Sequence, residues 1–83
     1  MKLTFKLYAS LAELLPGKLT ENAIDIEVDS GISIFDVIDQ FKVPRKSAHL
    51  VLLNGIYVAP DDRHKSVLND GDTLAIWPPV AGG

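Results

Sequence analysis

The chain has 83 residues, 47% of them apolar, and a formal net charge of −3. That length and apolar share suit one domain around one hydrophobic core, and exclude a catalytic domain standing beside a separate binding domain. Cysteine is absent, which removes disulfides, thiol nucleophiles and thiolate metal ligands, while mild acidity with scattered Lys and Arg is a poor match to a nucleic-acid backbone.

In chain order, Leu3, Phe5 and Leu7 alternate with Lys2, Thr4, Lys6 and Tyr8, the pattern of a strand with one buried face. Ser10 and Glu13 have capping-box spacing ahead of Leu14 and Leu15, so a short helical segment is expected, stopped at Pro16-Gly17. The charged Lys6 and the alternation argue against an export signal, and no apolar run reaches membrane-spanning length. No membrane association and a cytoplasmic location are therefore expected.

Ile24, Ile26 and Val28 alternate with Asp25 and Glu27 as a second strand, and Asp29-Ser30-Gly31 reads as a turn. Ser33 is placed to cap a helix with Asp36 at its third position. Ile34, Val37, Ile38 and Phe41 then form one apolar stripe, and Pro44 ends the helix nearby. Leu50-Val51-Leu52-Leu53 reads as a strongly buried central strand, in which truncation of Leu52 should leave a core cavity. Asn54-Gly55 is the favoured pair for a type I′ turn, with Ile56-Tyr57-Val58 returning as hairpin partner. Pro60-Asp61-Asp62 leaves the sheet, Val67 and Leu68 plug into the core, and Asp70-Gly71 turns into a last strand, Thr73 to Trp77. Pro78-Pro79 ends that strand, because neither residue donates to a ladder. The element order predicts one α+β roll with a right-handed crossover through the helix, which packs on one sheet face.

No glycine-rich phosphate loop is present, and His49 and His64 are isolated. The acidic pairs Asp61-Asp62 and Asp70/Asp72 lack calcium-loop spacing and suit turn chemistry better. The serines have no base to activate them. No metal site and no cofactor bound by this chain are expected. The candidate chemistry lies in residues 78–83, read as a flexible tail projecting from the domain formed by residues 1–77. Gly82-Gly83 presents no side chain and can be threaded into a close-fitting channel, with the terminal carboxylate as the group displayed. Pro78-Pro79 stiffens the exit. Of Ile76 and Trp77, alternation turns one outward; Tyr8, Ile56 and Tyr57 are weaker candidates for an exposed apolar patch.

Asn54-Gly55, the run Leu68-Asn69-Asp70-Gly71-Asp72-Thr73-Leu74-Ala75-Ile76-Trp77, and Pro78-Pro79-Val80-Ala81-Gly82-Gly83 resemble the sulfur-carrier family of ubiquitin-like proteins. Within it, the Pro-Pro-Val before Ala-Gly-Gly is most similar to small subunits of molybdopterin synthase. The resemblance implies a β-grasp fold with a mixed sheet of four to five strands and one main helix. It implies that the chain alone is a non-catalytic carrier acting as a subunit of a transferase. An ATP-dependent, E1-like activating enzyme would adenylate Gly83, and a sulfur donor protein would convert it to a thiocarboxylate. A large synthase subunit would accept the tail and pass the sulfur to a pterin precursor, two carriers flanking a dimer of large subunits in a heterotetramer. ATP and pterin would bind to those partners. Ile76, Trp77, Pro78, Pro79, Val80 and Ala81 would lie along the partner groove, with Gly82 allowing close approach. A carrier for thiamine or another sulfur pathway, a ubiquitin-like modifier joined to lysines, and a plain binding domain with an inert tail are alternatives that the sequence leaves open.

Overall fold

The computed structural model describes residues 1–15 and 22–79. The Pro16-Gly17 stop and the Val80-Ala81-Gly82-Gly83 tail lie outside the described residues. The elements are β1 (Lys2–Leu7), β2 (Ala23–Glu27), α1 (Ile34–Gln40), β3 (Leu50–Leu53), β4 (Ile56–Tyr57) and β5 (Thr73–Trp77), with short 3₁₀ turns at Ala9–Leu14, Arg45–Ser47 and Pro60–Asp62. They form one five-stranded sheet of order β2-β1-β5-β3-β4. β1 and β5 run parallel at its centre, and the β1–β2, β3–β4 and β3–β5 pairs are antiparallel. This is the mixed sheet of the expected β-grasp, with one main helix on one face.

Alternation decides what the helix covers. Leu3, Phe5 and Leu7 of β1, Leu74 and Ile76 of β5 and Val51 of β3 are buried and join Ile34, Val37 and Ile38 of α1 in one core. Phe41 closes its end against Phe5, ring centroids 4.9 Å apart. The Ser33 capping box forms as expected: the Ser33 hydroxyl accepts from the Asp36 N–H at 3.1 Å, and the Asp36 carboxylate accepts from the Ser33 N–H at 3.0 Å.

The helix stops before Pro44 acts. Lys42 takes a left-handed φ of 60°. Its N–H bonds to the Asp39 carbonyl at 3.0 Å, and the Val43 N–H bonds to the Ile38 carbonyl at 2.8 Å. These two bonds make a Schellman stop.

Three expectations need correction. Ser10 caps nothing: the segment Ala9–Leu14 is a 3₁₀ turn whose N-cap is Tyr8, without a side-chain cap bond. β3 is not the central strand; it lies between β5 and the short edge strand β4, and only Val51 of its four residues is fully buried. Leu52 is half-buried on the sheet face away from the helix. Of Val67 and Leu68, only Leu68 plugs the core, while Val67 stays 40% exposed.

The Asn54-Gly55 hairpin turn has both residues at positive φ, 52° and 83°, as its pairing of Leu53 with Ile56 requires. The acidic turns serve the backbone. Asp70 accepts from the Lys2 N–H at 2.6 Å, and Asp72 accepts from the Asn69 N–H at 2.8 Å and from the Asn54 amide at 2.9 Å. Asn54 in turn accepts from the Thr73 N–H at 2.8 Å, which locks the hairpin to the start of β5.

Candidate functional site: the root of the C-terminal tail

The tail leaves from the end of β5, the central strand, and is gripped there from both sides. On the β1 side the Tyr8 N–H donates to the Ile76 carbonyl at 3.1 Å; on the β3 side the His49 N–H donates to the Trp77 carbonyl at 3.0 Å. The last two residues of the strand are therefore held by backbone bonds within the domain.

Strand alternation separates the two candidates before the exit. Ile76 is fully buried beneath the helix, so as a surface contact it has no exposed area to offer. Trp77 points to the opposite face, half-buried, with its ring stacked on Tyr8 at a centroid distance of 4.0 Å and an interplanar angle of 4°. Pro78 is half-buried and Pro79 exposed. Val80, Ala81, Gly82 and Gly83 lie outside the described residues.

Around Trp77 the face away from the helix is apolar on its β3 side, while Lys6 lies opposite Ala75 on the β1 side. Cross-strand register puts Leu50 opposite Trp77, Leu52 opposite Ala75, and Tyr57 opposite Leu52. Leu50 and Leu52 are half-buried and Tyr57 is 54% exposed. Tyr8 and Tyr57, expected as weaker members of an apolar patch, thus stand at two sides of this face. Ile56 does not join them: its register with Leu53 assigns it to the helix side, where it is 71% exposed beside a cleft of about 490 Å³ that also involves Leu53, Val58 and Val67. That cleft sits at the Asn54-Gly55 end of the sheet, opposite the tail root.

The carboxylates held below their ordinary range are structural. Hydrogen bonds from Ser33 depress Asp36, and those from Arg45 and Lys65 depress Asp39 and Asp62. The Asp39–Arg45 pair is two-pronged, at 2.7 and 3.2 Å, and stands on the exposed side of the helix C-terminus with the guanidinium 4.4 Å from the Phe35 ring centre. Among the described residues no group of three or more His, Cys, Asp or Glu side chains is placed to hold a metal ion, and no helix is long and apolar enough to cross a membrane.

Two features escape sequence reasoning. Tyr8 reads as a strand end and a weaker patch candidate, with nothing local to pair it with Trp77. Arg63 reads as one of several scattered basic residues, yet it is 3% exposed and spends its guanidinium on three backbone carbonyls: Ala48 at 2.7 Å, Val58 at 3.0 Å and His49 at 3.3 Å.

The family model described as ThiS matches residues 6–83. No curated protein matches. Among solved structures, the chain is similar to SAMP1 from Haloferax volcanii, at 26% identity over 100% of both chains with a TM-score of 0.67. It is similar to the Haloferax volcanii HVO 2177 protein at 26% identity, covering 100% of this chain and 87% of that one, with a TM-score of 0.77. It is also similar to a protein of Pyrococcus furiosus described as a putative molybdopterin converting factor, subunit 1, at 25% identity over 95% of this chain and 98% of that one, with a TM-score of 0.60.

Proposed function

The chain belongs to the ThiS family, and from that premise we propose that it is a carrier whose working group is the carboxylate of Gly83. The observation that carries the reading is the geometry of the root: a central strand gripped on both edges at Ile76 and Trp77, running directly into Pro78-Pro79. A domain built this way serves as a rigid handle for a C-terminal tail.

The chemistry needs an activating partner. A carboxylate is a poor electrophile. Attack of a Gly83 carboxylate oxygen on the α-phosphorus of ATP expels pyrophosphate and leaves an acyl adenylate, whose AMP is a good leaving group. A sulfide-level nucleophile that displaces AMP leaves a thiocarboxylate, whereas a lysine amine that displaces it leaves an amide and joins the carrier to a protein. With no cysteine in the chain, sulfur has no side chain to ride on, which leaves the terminal carbonyl. ATP and the sulfur acceptor belong to partner proteins in this scheme, and the apolar face around Trp77, Leu50 and Leu52 is where a partner would seat while the tail enters its channel.

The two uses of the activated terminus are supported by different observations. The end-to-end similarity to SAMP1, a small archaeal modifier protein by description, favours a role as a modifier or general sulfur carrier. The Pro78-Pro79-Val80-Ala81-Gly82-Gly83 ending and the similarity to the Pyrococcus furiosus subunit favour sulfur delivery to a pterin, with a larger synthase subunit as partner. A pull-down from native-organism extract, with the tag at the N-terminus so that Gly83 stays free, separates them. Covalent adducts on target lysines identify a modifier. A non-covalent pterin-synthase large subunit identifies the second use, and a thiazole synthase identifies a thiamine carrier. Recovery of none of these, with Gly83 unmodified, contradicts the proposal.

A further inference from the structure

Arg63 is a buried cation whose hydrogen bonds among the described residues all go to backbone carbonyls. Its Nη1 donates to the Ala48 carbonyl at 2.7 Å, its Nη2 to the His49 carbonyl at 3.3 Å and its Nε to the Val58 carbonyl at 3.0 Å. The Ala48 carbonyl and the His49 N–H are two ends of one peptide unit. That N–H donates to the Trp77 carbonyl at 3.0 Å, beside the ladder pairing of Leu50 with Trp77. A charged donor on one end of a peptide unit polarises it and strengthens the bond made at the other end. The guanidinium is thus one peptide plane away from the last carbonyl of β5, immediately before Pro78. Its own backbone is tied down too, because the Arg63 carbonyl accepts from the Phe35 N–H of α1 at 2.9 Å.

We propose that Arg63 is a positioning residue for the tail: through the Ala48–His49 peptide unit it fixes the Trp77 carbonyl, and with it the direction in which the chain leaves the sheet. The inference rests on the reading of Gly83 as the reacting terminus, since only then does that direction matter to a reaction. It assigns a functional consequence to a residue far along the chain from the tail. A planar fork suits three carbonyls in fixed directions; a lysine ammonium keeps the charge and loses the fork.

The test is Arg63→Lys in the full chain, read in two ways. Amide hydrogen exchange compares His49, the β3-side pin, with Tyr8, the β1-side pin. The expected result is His49 exchange faster by at least about tenfold while Tyr8 is unchanged, since the opening is local to one side of the root. Adenylation kinetics with the activating enzyme should then show a severalfold rise in KM for the carrier at unchanged kcat, the mark of a tail delivered less well and not of altered chemistry. Where Arg63→Lys fails to fold, a backbone ester replacing the 48–49 amide removes the His49 N–H and leaves every side chain in place; the same rise in KM is expected. Unchanged KM in a folded variant, or parallel acceleration of His49 and Tyr8 exchange, overturns the positioning role. Wild-type protein that is not adenylated contradicts the carrier reading instead, so the two failures are distinguishable.

Discussion

The rings of Tyr8 and Trp77 lie parallel, centroids 4.0 Å apart, although one residue comes just after the first strand and the other ends the last. The stack is possible because β1 and β5 are parallel neighbours, with Leu7 opposite Ile76, so the next residue on each strand shares the face away from the helix. It joins the tail root to the apolar surface beside it.

Trp77→Ala should therefore lower stability by about 1–3 kcal/mol, less than for a fully buried Trp. A double-mutant cycle with Tyr8→Ala should give a coupling of about 0.5–1.5 kcal/mol in chemical denaturation, the range of an aromatic pair beyond its buried area. Zero coupling would mean the stack is not held in solution.

The core and the open face should respond differently to truncation. Ile38 is fully buried between helix and sheet, so Ile38→Ala should cost about 2–5 kcal/mol. Leu52 lies half-buried on the open face, and Leu52→Ala should cost less than about 2 kcal/mol, because it opens no closed cavity. Equal losses in urea denaturation would show that the open face is covered in the free protein.

Lys42 holds the left-handed position of the Schellman stop at φ 60°. Lys42→Gly should stabilise the domain by about 1 kcal/mol, since glycine enters that region without the Cβ contact. A thermal melt that moves down instead would show that the Lys42 side chain contributes more than its backbone strain costs.

Acid sensitivity should come from the depressed carboxylates. Asp36 is held below 3.8, first by the Ser33 N–H and then by its hydroxyl; Asp39 is held low by the Arg45 hydrogen bond and Asp62 by that of Lys65. A carboxyl with a lower value folded than unfolded stabilises fully above the unfolded value, and its contribution disappears as pH falls through the folded value. Melting temperature should be flat near neutrality and fall below about pH 4. Asp36→Asn should flatten part of that fall, while an acid limb identical to that of the wild type would show that Asp36 contributes nothing to it.

Much of this fold is legible in local patterns. The alternation of Leu3, Phe5 and Leu7, the Ser33–Asp36 spacing, the Ile34/Val37/Ile38 stripe and Asn54-Gly55 each carry a physical rule that the structure obeys. Leu50-Val51-Leu52-Leu53 misleads because a run of four apolar residues reads the same whether both faces are covered by this chain or one is left open. Ser10 misleads because cap spacing ignores the backbone, and Ala9 at φ 52° turns the chain before a helix can start there. At the site, the Pro-Pro exit and Trp77 are visible in the sequence. Tyr8 shows only as a weaker patch candidate and Arg63 not at all, because the stack depends on sheet register and the guanidinium on carbonyls from two separate segments.

The most direct test of the central claim is activation of the terminus. The full chain and a Gly83 deletion are incubated with ATP and the activating fraction of the native organism, then monitored by pyrophosphate release and intact mass. The wild type should gain an adenylate, and after addition of a sulfur donor show one oxygen replaced by sulfur. The deletion should gain neither while its unfolding free energy changes by less than about 0.5 kcal/mol. A deletion variant that is activated as well as the wild type, or a wild type that is never activated, would contradict that claim.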